Sequence, residues 1–136
     1  MKRIAVFVAA LVLAACSARH PAPGTYVWHG DDGTRLLEIH IIHGDCVAYN
    51  AFTEDGQQIA SIGPFETKGR WPRYTYTCCQ GGSDLTITAR FTGETLKADI
   101  AGRAVWGSHT TDIETTKTLS FTLEAANFQQ TDLGNN

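Results

Sequence analysis

The chain has 136 residues, with 11 basic and 14 acidic side chains, a net charge of −3 and four cysteines. This length suits one domain with a single core. The mildly acidic balance excludes a global electrostatic attraction to nucleic acid, so we expect no nucleic-acid partner.

The first 15 residues have the order of an export signal. Lys2 and Arg3 are positive, and Ile4 to Ala15 is an apolar run of 12 residues. A run of that length is too short to cross a bilayer, which needs about 20 residues, but it suits a signal peptide. It ends in Leu13-Ala14-Ala15-Cys16, which resembles the lipobox of bacterial lipoprotein precursors.

The lipobox resemblance implies cleavage before Cys16 and a diacylglyceryl group on its thiol, so the membrane is a partner through the lipid anchor. Ser17, in place of the Asp that often retains such proteins at the inner membrane, implies the outer membrane, with the domain facing the periplasm. An ordinary secretory signal is the alternative. Without residues 1–15, the chain has 121 residues and a net charge of −5. We predict a lipidated tether over 16–23, a folded domain over 24–126 and a polar tail over 127–136.

The body of the chain predicts β-strands, because apolar residues recur at period two and Thr, Ile, Val, Tyr and Phe are frequent. Gly-containing turns at short intervals predict an all-β fold of eight or nine antiparallel strands in sequential order. A meander that closes on itself removes its exposed edges, so we expect a small up-and-down β-barrel of about eight strands. A β-sandwich is the alternative.

Three hairpins can be registered. The first turns at Gly44-Asp45 as a type II′ turn and pairs His43 with Cys46. The residues that this register places inside are Leu37, Ile39, Ile41, Ala48 and Phe52. Those that it places outside are Glu38, His40, Val47 and Tyr49. The second turns at Gly81-Gly82 and pairs Cys78 with Leu85; the third turns at Gly93-Glu94 and pairs Phe91 with Leu96. Pattern alone predicts strands over Thr25–His29, Gln57–Ile62, Phe65–Arg70 and Leu119–Leu123, and a long loop over Gly107–Lys117.

This layout is loosely similar to the lipocalin and avidin-type barrels. The likeness concerns architecture alone, because Gly24-Thr25-Tyr26-Val27-Trp28 does not reproduce the Gly-x-Trp of those families. An interior of eight strands holds side chains or one small ligand.

Three cysteines remain once Cys16 is lipidated, and an oxidising compartment favours a disulfide. Cys46 and Cys78 fall on inward faces and Cys79 on an outward face, so we predict a Cys46–Cys78 bridge and a free thiol at Cys79. The alternatives are Cys46–Cys79, a vicinal Cys78–Cys79 bond, or no bridge.

Two side-chain clusters suggest binding. His40, His43 and Cys46 are spaced like ligands of zinc or copper, but strand alternation separates the two histidines, so no metal site is expected. Lys68, Arg70, Trp71, Arg73 and Tyr74 form a basic, aromatic cluster in an otherwise acidic domain. Such a cluster suits a phosphate, a lipid headgroup or an acidic partner surface, and a solvated strand end is the alternative.

One local likeness concerns function. Tyr74-Thr75-Tyr76-Thr77-Cys78, followed by Gly81-Gly82 and Leu85-Thr86-Ile87, resembles the strand-turn-strand of periplasmic lysozyme-inhibitor lipoproteins. The Ser-Gly-x-x-Tyr loop that carries inhibition in that family has no match in this chain, so the likeness implies no inhibitory residues.

The sequence has no Gly-x-Ser-x-Gly elbow, phosphate loop or His-Glu-x-x-His motif, so we expect no enzymatic activity, no catalytic residues and no cofactor. The prediction is a membrane-anchored binding module for a protein or an envelope component, of the inhibitor or immunity type. The alternatives are a lipocalin-like carrier of a small apolar ligand and a structural envelope protein. Five aromatic side chains are expected to fill the interior, which favours the binding module: Trp28, Trp71, Tyr74, Tyr76 and Trp106.

Overall fold

The computed structural model describes residues 20–78 and 81–125, which form ten strands. They are β1 (Gly24–His29), β2 (Arg35–Ile42), β3 (Asp45–Phe52), β4 (Gln58–Ile62), β5 (Glu66–Arg70), β6 (Arg73–Cys78), β7 (Asp84–Thr92), β8 (Thr95–Trp106), β9 (His109–Glu114) and β10 (Leu119–Ala125). The predicted all-β class is confirmed. A search of these residues finds no helix long and apolar enough to cross a membrane. The predicted signal peptide, lipidated Cys16, outward Cys79 and polar tail over 127–136 lie outside the described residues.

The ten strands form one antiparallel sheet. Its order is β4-β3-β2-β1-β10-β8-β7-β6-β5, and β9 pairs with β8. The 12-residue β8 has room for two partners on one side, because β10 pairs with its first half and β9 with its second half. The pairing of β1 with β10 joins the first and last described strands.

The predicted closed barrel of about eight strands is wrong, because the described part of the chain forms an open sheet of ten strands. The end strands β4 and β5 do not pair with each other. Gly63-Pro64-Phe65 joins them directly, and Pro64 has no backbone N–H to extend a ladder. One hydrogen bond spans the gap, from the Phe65 N–H to the Cys46 carbonyl at 3.0 Å.

The sheet nevertheless curls around a core. Its ends approach each other, because β4 contacts β8 and β3 contacts β5. The largest core side chains are fully buried: Tyr26, Tyr76, Phe91 and Phe121. Trp28, Trp71 and Tyr74 pack against this core with partial burial, whereas Trp106, which was expected inside, is 39% exposed. The opposite face of the sheet is therefore convex and meets solvent.

Two of the three predicted hairpin registers are confirmed. Cys78 lies opposite Leu85, and Phe91 lies opposite Leu96. The first register is wrong, because the chain turns at His43-Gly44, where φ is 53° and 83°, as a type I′ turn requires.

A bulge next to this turn changes which side chains of β3 face the core. The register shifts between His40, which pairs with Ala48, and Ile41, which pairs with Cys46. Tyr49 is buried in the core cluster as a result, and Ala48, which was predicted inside, is outside that cluster. The extra residue reverses the alternation, as expected for a bulge.

The predicted loop Gly107–Lys117 contains β9. Almost all of β9 is exposed, so it lacks the alternating apolar residues by which a strand is recognised. Its ladder with β8, from Trp106 opposite His109 to Ala101 opposite Glu114, holds it in place instead.

Gly102 allows β7 and β8 to lie close together, and we predict that it tolerates no side chain. Its φ is +129°, and an added Cβ would lie 1.8 Å from the Asp84 carbonyl oxygen. Gly102→Ala should lower the free energy of unfolding by about 3 kcal/mol, measured by urea denaturation. Gly93→Ala is the control, because Gly93 also has positive φ but no atom within 4 Å of an added Cβ. It should cost about 1 kcal/mol, and equal losses in the two variants would contradict the close contact.

Candidate functional site

The predicted basic, aromatic cluster is divided by the sheet. Along β6, Tyr74 turns inward, while Arg73 is exposed on the convex face. Lys68 and Arg70 are exposed on β5, and Trp71 packs against the core from the β5–β6 turn. The five residues therefore separate into an outward cationic part and an inward aromatic part.

The aromatic part supports the turn that carries two of the cations. Trp71 stacks on Phe91 with ring centroids 6.1 Å apart, and Tyr74 meets Phe91 edge to face at 5.8 Å. The Phe91 N–H donates to the Pro72 carbonyl at 2.9 Å. These contacts fix the segment between Arg70 and Arg73 on the end of the core.

The cations on the convex face continue across four strands. Arg70 pairs with Arg73, Arg73 with Arg90, and Arg90 with Lys97. Directly opposed side chains in antiparallel strands have Cβ atoms about 5 Å apart. We call these four residues the cationic row; Lys68 lies one row further along.

The cationic row is not neutralised by the described part of the protein. The ion pairs formed by residues 20–78 and 81–125 involve Arg35, Arg103 and two histidines, and no member of the row. Like charges placed directly opposite each other destabilise a sheet. Four such residues in a chain of net charge −3 indicate a surface that is suited to an anionic partner.

Sequence reasoning found Arg70 and Arg73 but not Arg90 and Lys97. The third predicted hairpin, which pairs Phe91 with Leu96, implies that Arg90 lies opposite Lys97, and that pairing is confirmed. The second, which pairs Cys78 with Leu85, likewise implies that Arg73 lies beside Arg90, and that pairing is confirmed as well. Combining the two predicted hairpins into one sheet would have revealed the row from Arg73 to Lys97.

A groove of about 590 Å³ runs beside the row. Its lining includes Arg73, Arg90 and Lys97, together with hydroxyl and carboxylate groups from Thr75, Thr88, Asp99 and Thr118. Thr118 donates a hydrogen bond to one Asp99 oxygen at 2.9 Å. The groove thus offers three cations next to a set of hydrogen-bonding oxygens.

A larger groove of about 770 Å³ is lined by the start of β7, the second half of β8 and the end of β9. It is a weaker candidate for binding an anionic partner. Among its lining residues the only cation, Arg103, is paired with Asp112 at 3.2 Å, and the other charged groups are acidic. Volume alone does not provide recognition, whereas unpaired charge does.

A second polar cluster lies on the outer face of β1 to β3. Glu38 and His40 are buried although they point away from the core cluster. Nε2 of His40 lies 3.1 Å from Glu38 Oε1, and its Nδ1 lies 3.0 Å from the Thr25 hydroxyl. The Asn50 amide nitrogen donates to Glu38 Oε1 at 3.2 Å. These polar contacts connect the neighbouring strands β1, β2 and β3.

Arg35 connects this pair to β10. It donates to Glu38 Oε2 at 2.8 Å and to Glu124 at 3.1 Å, and the other oxygen of Glu124 lies 2.9 Å from His29 Nε2. Burial by itself raises the pKa of Glu38, but hydrogen bonds from His40 and Asn50 and the charges of His40 and Arg35 lower it overall. Glu38 is therefore a carboxylate at neutral pH, and the cluster satisfies its charge internally.

The cysteines do not form the predicted bridge. Within the described residues, Cys46 and Cys78 are free thiols, both buried in the core cluster, so their inward orientation is confirmed and the Cys46–Cys78 disulfide is not found. Burial raises the pKa of the Cys46 thiol. Both sulfurs pack as small apolar groups, which explains why the core accommodates them without a covalent link.

The three spaced metal ligands are not brought together. His40 joins the outer cluster, His43 is exposed in the β2–β3 turn, and Cys46 is in the core. The described residues contain no group of three or more His, Cys, Asp or Glu side chains that could hold a metal ion.

Comparison with protein-family models, with curated proteins and with solved structures finds no match for this chain. The cationic row and its surroundings are therefore the features that indicate a function.

Proposed function

We propose that the protein is an outer-membrane lipoprotein, anchored through Cys16, that works as a non-enzymatic binding module for an envelope component or protein. Its binding surface is the cationic row. The observation that carries this proposal is a line of four cations, directly opposed across strands and without an ion pair among residues 20–78 and 81–125, on a domain that is otherwise acidic. An arrangement that lowers stability without an internal partner suggests an external one.

The position of the row relative to the start of the domain supports this function. Pro21 lies close to Gly44, and the Tyr76 hydroxyl donates to the Gly44 carbonyl, so residues 20–23 pack at the Cys78 end of β6. Arg73 begins β6 and lies about 16 Å from Cys78, at the rise of an extended strand. A tether leaving from residue 20 would therefore direct the row away from the anchoring membrane.

The packing of the core supports the binding module over the carrier. Tyr26, Tyr76 and Phe121 are fully buried in the space where a small apolar ligand would sit. An external surface leaves this core undisturbed. The structural envelope protein is the weaker alternative, because passive packing gives no reason for a line of opposed cations.

The experiment compares two variants of the full-length protein that lose the same charge. Arg90→Gln/Lys97→Gln removes two cations from the row, and Arg103→Gln/Lys117→Gln removes two from elsewhere. At low ionic strength, we expect a sulfonate matrix to retain the wild type and the second variant but not the first, despite the protein's net negative charge. The first variant should also be as stable as the wild type or more stable, by up to about 1 kcal/mol, because it relieves like-charge repulsion.

Retention depends on local charge, so high salt should release the wild type. If the two variants elute together, retention follows net charge and the row is not a binding surface. If the first variant is clearly less stable, the row has a structural role and the proposal is wrong.

A further inference from the structure

We infer that the cationic row binds a flexible, linear acidic glycan, that is, a chain of sugars bearing charged oxyanions. This inference rests on the proposed function and names the partner class for the same surface. It depends on three features of the described residues: the cations, the oxygens beside them and the curvature of the face.

The cations account for the negative charge of the ligand. Three of the four members are arginines, whose planar guanidinium groups donate two parallel hydrogen bonds to a carboxylate, sulfate or phosphate. Neighbouring strands lie about 4.8 Å apart, so the row from Arg70 to Lys97 is about 14 Å long. A ligand that engages all four must carry several oxyanions in a line.

The hydrogen-bonding oxygens beside the cations indicate that the ligand carries sugar hydroxyl groups. The adjacent row begins with Lys68 on β5 and continues with Thr75, Thr88 and Asp99, opposite one another on β6, β7 and β8. Asp99 accepts from Thr118 through one oxygen, and its other oxygen has no hydrogen-bond partner among the described residues. A carboxylate next to the cations repels a bare polyanion, but it accepts a hydrogen bond from a sugar hydroxyl. A ligand with alternating oxyanions and hydroxyl groups fits both rows.

The curvature argues against a membrane as the ligand. The cationic row crosses three steps of a nine-strand path that curls around the core, so it extends about a third of the way around a convex surface. A planar bilayer touches such an arc at one or two members, whereas a flexible chain follows all four. Apolar side chains that enter the bilayer also strengthen binding to a membrane surface. The large hydrophobic side chains that are exposed in the described part, Ile59 and Trp106, are not in the cationic row.

The side chains around the groove also argue against single-stranded nucleic acid. Proteins that bind it stack the bases on aromatic side chains. Tyr74 is part of the groove lining, but its ring stacks on Tyr76 and meets Phe91 edge to face, and Trp71 stacks on Phe91. These two rings are therefore engaged in the core packing, whereas the cations beside them make none of the ion pairs seen in the described residues.

The test measures the affinity of the full-length protein, in a non-ionic detergent, for four fluorescent probes. Two are acidic glycans, a galacturonate octasaccharide and a heparin-derived octasaccharide. The others are inorganic polyphosphate and a thymidine oligonucleotide; phosphatidylglycerol vesicles are tested by co-sedimentation. We expect both glycans to bind, and Arg90→Gln/Lys97→Gln to weaken them about tenfold or more. Arg103→Gln/Lys117→Gln should change their affinity little.

The direction in which Asp99→Asn changes the binding affinity distinguishes an acidic glycan from a bare polyanion. For an acidic glycan, loss of the carboxylate acceptor should weaken binding about threefold or more. For a bare polyanion such as polyphosphate, the same change removes repulsion and should strengthen binding. Two results would overturn the inference. They are tighter glycan binding by Asp99→Asn, and a glycan affinity that is the same in Arg90→Gln/Lys97→Gln as in the wild type.

Failure of the inference and failure of the proposed function are distinguishable. Row-dependent binding of the oligonucleotide or the vesicles, with no glycan binding, would reject the glycan and keep the row as a binding surface. No row-dependent binding of any probe, together with equal retention of the two double variants on the sulfonate matrix, would reject both.

Discussion

Replacing Phe91 by alanine is expected to destabilise the domain more than any other change considered above. Phe91 is 2% exposed, stacks on Trp71 and meets Tyr26 and Tyr74 edge to face, at 5.6 Å and 5.8 Å. Removing a buried phenylalanine costs about 3 to 5 kcal/mol, and three aromatic neighbours place this site at the upper end. Because small domains are stable by about 5 to 15 kcal/mol, Phe91→Ala should unfold at much lower urea concentration.

Two controls separate burial from ring geometry. Phe91→Leu keeps most of the volume and should cost about 1.5 kcal/mol, mainly through lost aromatic contacts. Ile59→Ala removes an exposed apolar side chain and should change stability by no more than about 0.5 kcal/mol. A loss below about 1 kcal/mol for Phe91→Ala would mean that the aromatic cluster does not organise this end of the core.

The same substitution connects the core to the binding surface. Phe91 follows Arg90 in β7, and its N–H holds the Pro72 carbonyl in the turn between Arg70 and Arg73. Loosening that turn would move two cations of the row relative to the other two. Among the folded fraction of Phe91→Leu, retention on a sulfonate matrix should therefore fall slightly, although no charge is removed.

Replacing Glu38 by alanine is expected to cost about as much as Gly102→Ala and less only than Phe91→Ala. Glu38 is a buried carboxylate that Arg35, His40 and Asn50 contact directly, and its removal takes one hydrogen-bonding partner from each of these three residues. Breaking a buried ion pair by removing one member costs about 3 to 5 kcal/mol; because Arg35 is half exposed and regains water, we expect about 3 kcal/mol. Urea denaturation at neutral pH measures this loss.

The pH dependence of this loss tests its electrostatic origin. The pKa of Glu38 in the folded protein lies below its ordinary value of 4.5, so the folded state favours the ionised form. The stability that ionisation contributes is present above the ordinary pKa, and it disappears as the pH falls through the lowered pKa of the folded state.

Glu38→Gln keeps the shape of the side chain but not the charge. Its stability deficit relative to the wild type should be full at pH 7 and should shrink steadily below pH 4.5. Glu54→Gln, at an exposed position, is the matched control and should show no comparable deficit. A Glu38→Gln deficit that is the same at pH 7 and in acid would show that packing, and not charge, is responsible.

Local chemistry determined much of this fold. Gly81-Gly82 and Gly93-Glu94 set two hairpin registers that the structure reproduces pair by pair, because a two-residue turn allows little freedom in the strands that flank it. Alternation then identified the inward residues of β6, β7 and β8, and the outward positions of Glu38 and His40. The preference for Gly at the first position of a type II′ turn indicated Gly44-Asp45, whereas the chain turns at His43-Gly44, and the bulge beyond this turn was not visible in the sequence.

Features that depend on distant parts of the chain were decided only by the tertiary structure. β9 is a strand because β8 offers it a ladder, although its own exposed residues carry no alternating pattern. The sheet stays open, because its end strands β4 and β5 do not pair although only Gly63-Pro64-Phe65 separates them in the chain. The buried cluster around Glu38 needs four strands, and the cationic row needs β5 to β8 side by side.

The predicted basic, aromatic cluster also has features that the sequence determined and features that the tertiary structure decided. Its composition could be read from Lys68 to Tyr74 without any structure, because an unusual set of neighbours is a local property. Which members turn inward, and which cations further along the chain join the rest, depends on pairing between strands, such as that of Arg73 with Arg90, which are 17 residues apart. The two predicted hairpin registers imply the line from Arg73 through Arg90 to Lys97, whereas the place of Arg70 in that line depends on the pairing of β5 with β6, which only the folded sheet supplies.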